Sequence, residues 1–218
     1  MVNFSFIKMS GLGNDFVIID QRSDLFELNE NQIKKICDRK QGIGCDQLIY
    51  IRNSEQNQLY LMKFFNSSGE EISACGNGTR CVASFLMNEI NSNEIKINTI
   101  DKILSCKKLN DNIISVEMGK PKFNWDDIPL SHDIKQEVPT FTLQGKMITK
   151  PFFVNVGNPH AIFFVNDIND YNIDEFGPLI ECNKLFPEKI NVSFAKIIND
   201  KKILLSVWER GAGKTEAC

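Results

Sequence analysis

An internal repeat limits what this chain can fold into more than any other feature. Asn14 and Asn158 lie 144 positions apart, Gln47 and Asn191 also 144, and Cys75 and Cys218 143. The local patterns agree. Gly157-Asn158-Pro159-His160 precedes an apolar run at 161–165, as Gly13-Asn14-Asp15-Phe16 precedes one at 17–19. Val207-Trp208-Glu209 enters a glycine-rich turn ending Ala217-Cys218, as Phe64-Phe65-Asn66 enters one ending Ala74-Cys75. Three ordered matches at spacings of 143 to 144 mark a duplication. The chain is therefore read as a mixed α/β (α+β) protein of two pseudo-symmetric domains, each a mainly antiparallel sheet around a helix. The expected domains are 1–118 and 119–218, because 119–145 is looser, with Pro121, Pro129 and Pro139 among several acids. A pseudo-twofold would set the two cysteine turns face to face across a cleft.

Within the first half, Phe4, Phe6 and Ile7 open an alternating strand that breaks at Gly11-Leu12-Gly13-Asn14. Residues 29–39 have helical spacing with Ile33 and Ile36 inward. Strands follow at 47–52 and 59–65. Val82, Phe85, Leu86 and Ile90 then recur at i, i+3 and i+4, so a helix follows Cys75. Residues 94–98, 102–107 and 113–118 read as an antiparallel meander. In the second half, 173–182 reads as a helix with Phe176, Leu179 and Ile180 inward.

Composition excludes several functions. A net charge of -3 leaves no basic excess for nucleic acid. No apolar run approaches the ~18 residues of a membrane span, and residues 1–9 lack a signal-peptide core. Seven cysteines without a secretory signal point to reduced thiols in a cytoplasm. No C-x-x-C pair occurs and His132 and His160 stand 28 positions apart, so no metal site is expected.

Cys75 is placed on a glycine-rich turn at the mouth of a helix, where unpaired N–H groups favour a thiolate or a ligand carboxylate. If Cys75 and Cys218 flank a small amino acid, one thiolate can take the α-proton while one thiol delivers a proton to the other face. That inverts the centre without a cofactor. The α-hydrogen is weakly acidic, so backbone donors at the helix start must stabilise the carbanion, each worth roughly 3 kcal/mol.

Taken together, Gly11-Leu12-Gly13-Asn14-Asp15-Phe16, Gly42-Ile43-Gly44-Cys45-Asp46-Gln47, Ala74-Cys75-Gly76-Asn77-Gly78-Thr79-Arg80-Cys81, Gly157-Asn158-Pro159-His160 and the closing run from Glu209 to Cys218 give a specific match over the whole chain. The sequence resembles the diaminopimelate epimerase family, cofactor-independent two-cysteine enzymes of lysine and cell-wall precursor synthesis. The resemblance implies Cys75 and Cys218 as the acid–base pair and His160 and Glu209 as groups that tune or relay protons. It implies Asn14, Gln47, Asn66, Gly76, Asn77, Asn158, Asn191, Glu209 and Arg210 as substrate-binding residues, diaminopimelate as substrate, no metal or cofactor, and a homodimer. An Arg fork for a distal carboxylate and an acid for a distal ammonium suit a diamino diacid.

Departures set further expectations. The family commonly has His where Asn183 stands. Family members continue past the second cysteine with a Gly-Ser or Gly-Thr pair and a helix, so a chain ending at Cys218 is expected to be an incomplete epimerase of little activity. A proline racemase or hydroxyproline epimerase shares the two-thiol logic but typically has His where Asn77 stands. A phenazine-type isomerase would use a carboxylate where both base positions here are cysteine. An inactive remnant that only binds is the non-enzyme alternative. Cys37, Cys45, Cys106 and Cys182 are read as buried and inert, Cys81 as structural, and His132 as a surface residue.

Overall fold

A computed structural model describes residues 3–54, 59–72, 75–135 and 137–215. Cys218, the expected second base, lies outside the described residues. The chain divides into two units, Met1–Met118 and Gly119–Cys218.

Unit 1 runs β1 (Ile7–Gly11), β2 (Asn14–Asp20), α1 (Glu30–Cys37), β3 (Gln47–Asn53), β4 (Tyr60–Asn66), β5 (Glu71–Ile72), α2 (Gly76–Glu89), β6 (Glu94–Asn98), β7 (Ile103–Asn110) and β8 (Ile113–Glu117). The sheet order is β1-β2-β3-β4-β6-β7-β8, with β5 on β4. Among the described residues only β2–β3 and β4–β6 are parallel. Strands β2 and β3 are apolar on both faces because a helix lies on each side. Phe16, Ile18, Ile49, Ile51, Met62 and Phe64 meet Val82, Ala83, Leu86 and Met87 of α2. The alternate residues Val17, Ile19, Leu48, Tyr50 and Phe65 meet Ile33 and Cys37 of α1. The capping box of Asn29 and Gln32 starts α1.

Unit 2 runs β9 (Thr140–Leu143), β10 (Lys146–Thr149), β11 (Phe152–Asn155), β12 (Pro159–Phe164), α3 (Ile173–Glu181), β13 (Asn191–Asn199), β14 (Lys202–Glu209) and β15 (Gly213–Thr215). Its main sheet is β11-β12-β13-β14-β15, with β12–β13 parallel as β2–β3 is in unit 1. The repeat extends to register. Phe16 pairs with Gln47 in unit 1 and His160 with Asn191 in unit 2, both partners displaced by 144. Ala161, Phe163, Val192, Phe194 and Trp208 pack with Phe176 and Ile180 of α3, so α3 is the counterpart of α1. Among the described residues no helix of unit 2 matches α2. On the face opposite α3, Phe164, Ile197, Ile203 and Leu205 are each more than half exposed.

Three sequence expectations change. The first strand starts at Ile7, because Phe4 stacks on Phe26, 5.6 Å between centroids, rather than joining the ladder. The loose stretch contains the start of a hairpin, β9–β10, turned by Gln144 and Gly145 at positive φ. Cys182 is exposed rather than buried, because it caps the end of α3. Among the described residues no helix is long and apolar enough to cross a membrane.

Candidate active site

Strand direction gathers the expected residues at one edge of each sheet. In unit 1, β2 and β3 run parallel and start at Asn14 and Gln47, while antiparallel β4 ends at Asn66 opposite Gln47. In unit 2, Asn158 directly precedes β12, Asn191 begins β13, and Glu209 ends β14. A one-residue slip would turn each side chain to the other face, so the duplicated register also duplicates the site edge.

Cys75 occupies the N-cap of α2. Its backbone is extended (φ -136°, ψ 118°) and its Sγ accepts the Gly78 N–H at 3.5 Å. Helix geometry leaves the Gly76 and Asn77 N–H groups without intrahelical acceptors, beside a half-buried thiol. The glycine at position 78 is required by packing. A Cβ there would stand 2.8 Å from Ile49 Cδ1 and 3.0 Å from Phe64 Cε1. Asn77 is buried and donates to Asn14 Oδ1 at 2.6 Å, while Arg80 donates to Asn77 Oδ1. Thus Arg80, Asn77 and Asn14 form one chain of hydrogen bonds from α2 to β2.

Gln47 contributes a different feature. Its Oε1 is buried and has no hydrogen-bond partner among the described residues. A buried acceptor without a donor costs roughly 1–3 kcal/mol, so this oxygen is ready for a ligand N–H. Asn66 is busier: its Oδ1 accepts the Ser68 N–H, the Ser68 hydroxyl and the Glu70 N–H. It closes its own turn.

In unit 2, buried Asn191 donates to Pro159 O at 2.8 Å and accepts the Arg210 N–H at 2.9 Å. Its side chain ties the start of β12 to the turn after β14. Arg210 also donates from Nη1 to Glu188 O. His160 is 6% exposed, with Nε2 3.1 Å from Asn158 Oδ1. Burial, helped by the nearby Arg210 charge, pushes the imidazole down to about 4. His160 is therefore neutral at neutral pH.

Two devices escaped the sequence reading. Asp15 and Asp46, next to Asn14 and Gln47, exchange hydrogen bonds: Asp15 N–H donates to Asp46 Oδ2 and Asp46 N–H to Asp15 Oδ1. Arg39 forks both Asp15 oxygens at 3.0 and 2.8 Å and reaches Asp46 at 2.7 Å. Burial works to raise the Asp15 carboxyl, but Arg39, Lys8 and the Asp46 N–H outweigh it and hold it well below the usual carboxylate range. The second device is Glu181, which accepts from Trp208 near the end of β14 and from Gly211 in the turn after it. Glu181 aligns with Cys37 in the repeat, but nothing local in the sequence marked its carboxylate as buried. Arg39 carried no local signal. Cys37 and Cys45 are buried with their sulfurs 3.4 Å apart, and burial pushes Cys81 and Cys106 up to about 11, as expected of structural thiols. His132 is half exposed, as read from sequence. Among the described residues no group of His, Cys, Asp and Glu could hold a metal ion.

Comparison with known proteins sets this geometry in a family. The model of the family described as diaminopimelate epimerase matches residues 6–124 and 152–218. A protein of Pelagibacter ubique (strain HTCC1062) named diaminopimelate epimerase is 50% identical over 214 residues, covering 97% of this chain and 77% of its own. One of Phenylobacterium zucineum (strain HLK1), with the same name, is 43% identical over 215 residues, covering 98% and 77%. Among solved structures, a hydroxyproline epimerase from Agrobacterium vitis, with trans-4-hydroxy-L-proline bound, superposes with a TM-score of 0.65 at 8% identity, covering 97% of this chain and 71% of that one. At that identity the likeness concerns the fold alone. With a family model over most of its length and relatives at this identity, the chain belongs to the diaminopimelate epimerase family.

Proposed function

We propose that this protein is a diaminopimelate epimerase, interconverting the L,L and meso isomers, with Cys75 and Cys218 as its two bases. The observation that carries the reading is Cys75 at the N-cap of α2, with Asn14 and Asn77 hydrogen-bonded beside it. One cysteine, as thiolate, removes the α-hydrogen as a proton and leaves the electron pair on the α-carbon. The other, as thiol, donates its proton to the opposite face and becomes the thiolate. The reverse reaction exchanges the two roles, and no electron acceptor is needed.

Stabilisation of the carbanion falls to the start of α2. The Gly76 and Asn77 N–H groups point along the helix axis at developing negative charge. Asn14, Gln47, Asn66, Asn77, Asn158 and Asn191 supply neutral donors and acceptors. The unpaired Gln47 Oε1 takes a substrate N–H. Glu209 takes the distal ammonium and Arg210 the distal carboxylate. A neutral, buried His160 tunes the site by hydrogen bonding rather than by charge.

A small-molecule substrate fits this reading, as does the absence of a basic excess at a net charge of -3. A cytoplasmic location and a homodimer belong to the same proposal, the dimer testable by sedimentation. Parallel incubations with diaminopimelate and with proline test the substrate class. Turnover of diaminopimelate alone is expected, and turnover of proline alone would transfer the chain to the racemase reading. Running the Pelagibacter relative alongside reads how fast this chain turns over by comparison.

A further inference from the structure

Helix α3 ends in a buried carboxylate. The Glu181 side chain is 7% exposed, and its oxygens accept from the end of β14 and from the turn that follows it. Trp208 Nε1 donates to Oε2 at 2.7 Å and Gly211 N–H to Oε1 at 3.0 Å. Lys189 Nζ stands 3.7 Å from Oε1. The two donors bracket Glu209-Arg210. One turn earlier in α3, Gly177 lets the indole lie directly on the helix, since a Cβ there would meet Trp208 Cγ at 2.5 Å.

The repeat provides an internal control. Glu181 corresponds to Cys37 at a spacing of 144, and Trp208 and Gly211 correspond to Phe65 and Ser68 at 143. In unit 1, Cys37 and Phe65 share an apolar cluster. The Ser68 N–H there goes to Asn66 Oδ1. So the fold can finish this helix with an apolar contact, and can close the turn with the residue at the end of the strand. Unit 2 instead buries a carboxylate at the helix end and sends the equivalent N–H to it. A buried charge is weak evidence for stability, which leaves the geometry of the turn as its use.

We infer that Glu181 is a positioning residue that holds the 209–211 turn from α3, a task Asn66 performs for its own turn in unit 1. The strand-end position 209 can then carry a carboxylate directed at substrate, with Arg210 fixed beside it through Asn191. This inference rests on the proposed substrate-binding roles of Glu209 and Arg210.

The test is Glu181→Met combined with Trp208→Phe, which rebuilds the apolar pair of unit 1. Glu181→Gln, which keeps the shape but only one acceptor oxygen, is made alongside in case the double variant fails to fold. Two readouts separate the claims. Hydrogen exchange at the Gly211 amide needs no substrate and is expected to quicken at least about tenfold, with β13 amides within about twofold of wild type. The KM for diaminopimelate is expected to rise at least about tenfold with kcat changed far less, as for lost uniform binding. A merely structural Glu181 would lower the melting temperature and leave KM unchanged. Unaltered Gly211 exchange, or unaltered KM in a folded variant, overturns the inference. A wild type that does not bind diaminopimelate overturns the functional reading instead, and the exchange comparison still decides whether Glu181 holds the turn.

Discussion

At the scale of single residues, Cys75 joins an N-cap role to the proposed role of base, and substitution can separate the two. As an N-cap its sulfur is a long acceptor for Gly78 N–H, and a serine oxygen is the better cap. Cys75→Ser should therefore leave stability within about 1 kcal/mol of wild type or slightly above it. Epimerisation should fall by at least about a hundredfold, the usual cost of losing a positioned acid or base. Urea melts and a turnover assay on the same preparation check both. His160 makes a prediction about pH. Its folded value, about 4, lies below its ordinary 6.5, so between those values the unfolded chain binds more protons. The contribution is fully present above pH 6.5 and is lost as pH falls to 4. It amounts to roughly 3 kcal/mol for a group this buried. Denaturant titrations at pH 7 and 4.5 should show a steeper loss for wild type than for His160→Phe, and equal losses would contradict the assignment.

At the scale of elements, α2 is fixed to its sheet through a position with no side chain. Alanine at 78 would gain about 1 kcal/mol in helix propensity. Its Cβ would enter the space of Ile49 and Phe64, and overpacking a filled core costs about 1–3 kcal/mol. Gly78→Ala should therefore be neutral to destabilising, by about 0–2 kcal/mol, measured by urea unfolding. Stabilisation would mean that the helix mouth is free to move. Element types were legible where apolar periodicity was strong. Residues 14–20, 47–53, 60–66 and 76–89 form the strands and helix that their patterns announce. The hairpin β9–β10 and strand β11 were not legible, because they are four-residue strands with mixed faces beside prolines. Phe4 misled because an alternating aromatic reads as strand until its stacking partner, Phe26, is known.

At the scale of the whole chain, the duplication was legible because a one-residue slip in either unit would turn its buried residues to the other face of the sheet. The β2–β3 and β12–β13 ladders keep the 144-residue offset that the motifs show. The matched placement of Gln47 and Asn191 followed from it, while the substrate roles of Asn14, Gln47, Asn191 and Glu209 followed from the family resemblance. Contacts between elements distant in sequence did not. Arg39 between Asp15 and Asp46 reads as an ordinary surface charge, and Glu181 reads as a solvated helix end until its burial is seen. The central claim is two-base chemistry at cysteine. It is tested most directly by incubating the protein with L,L-diaminopimelate in deuterated water and following both α-deuterium content and stereochemistry. The account predicts that the meso product carries solvent deuterium at the inverted centre, and that Cys75→Ser and Cys218→Ser each abolish its formation. Meso product that retains the substrate's hydrogen, or that still forms in Cys75→Ser, would contradict it.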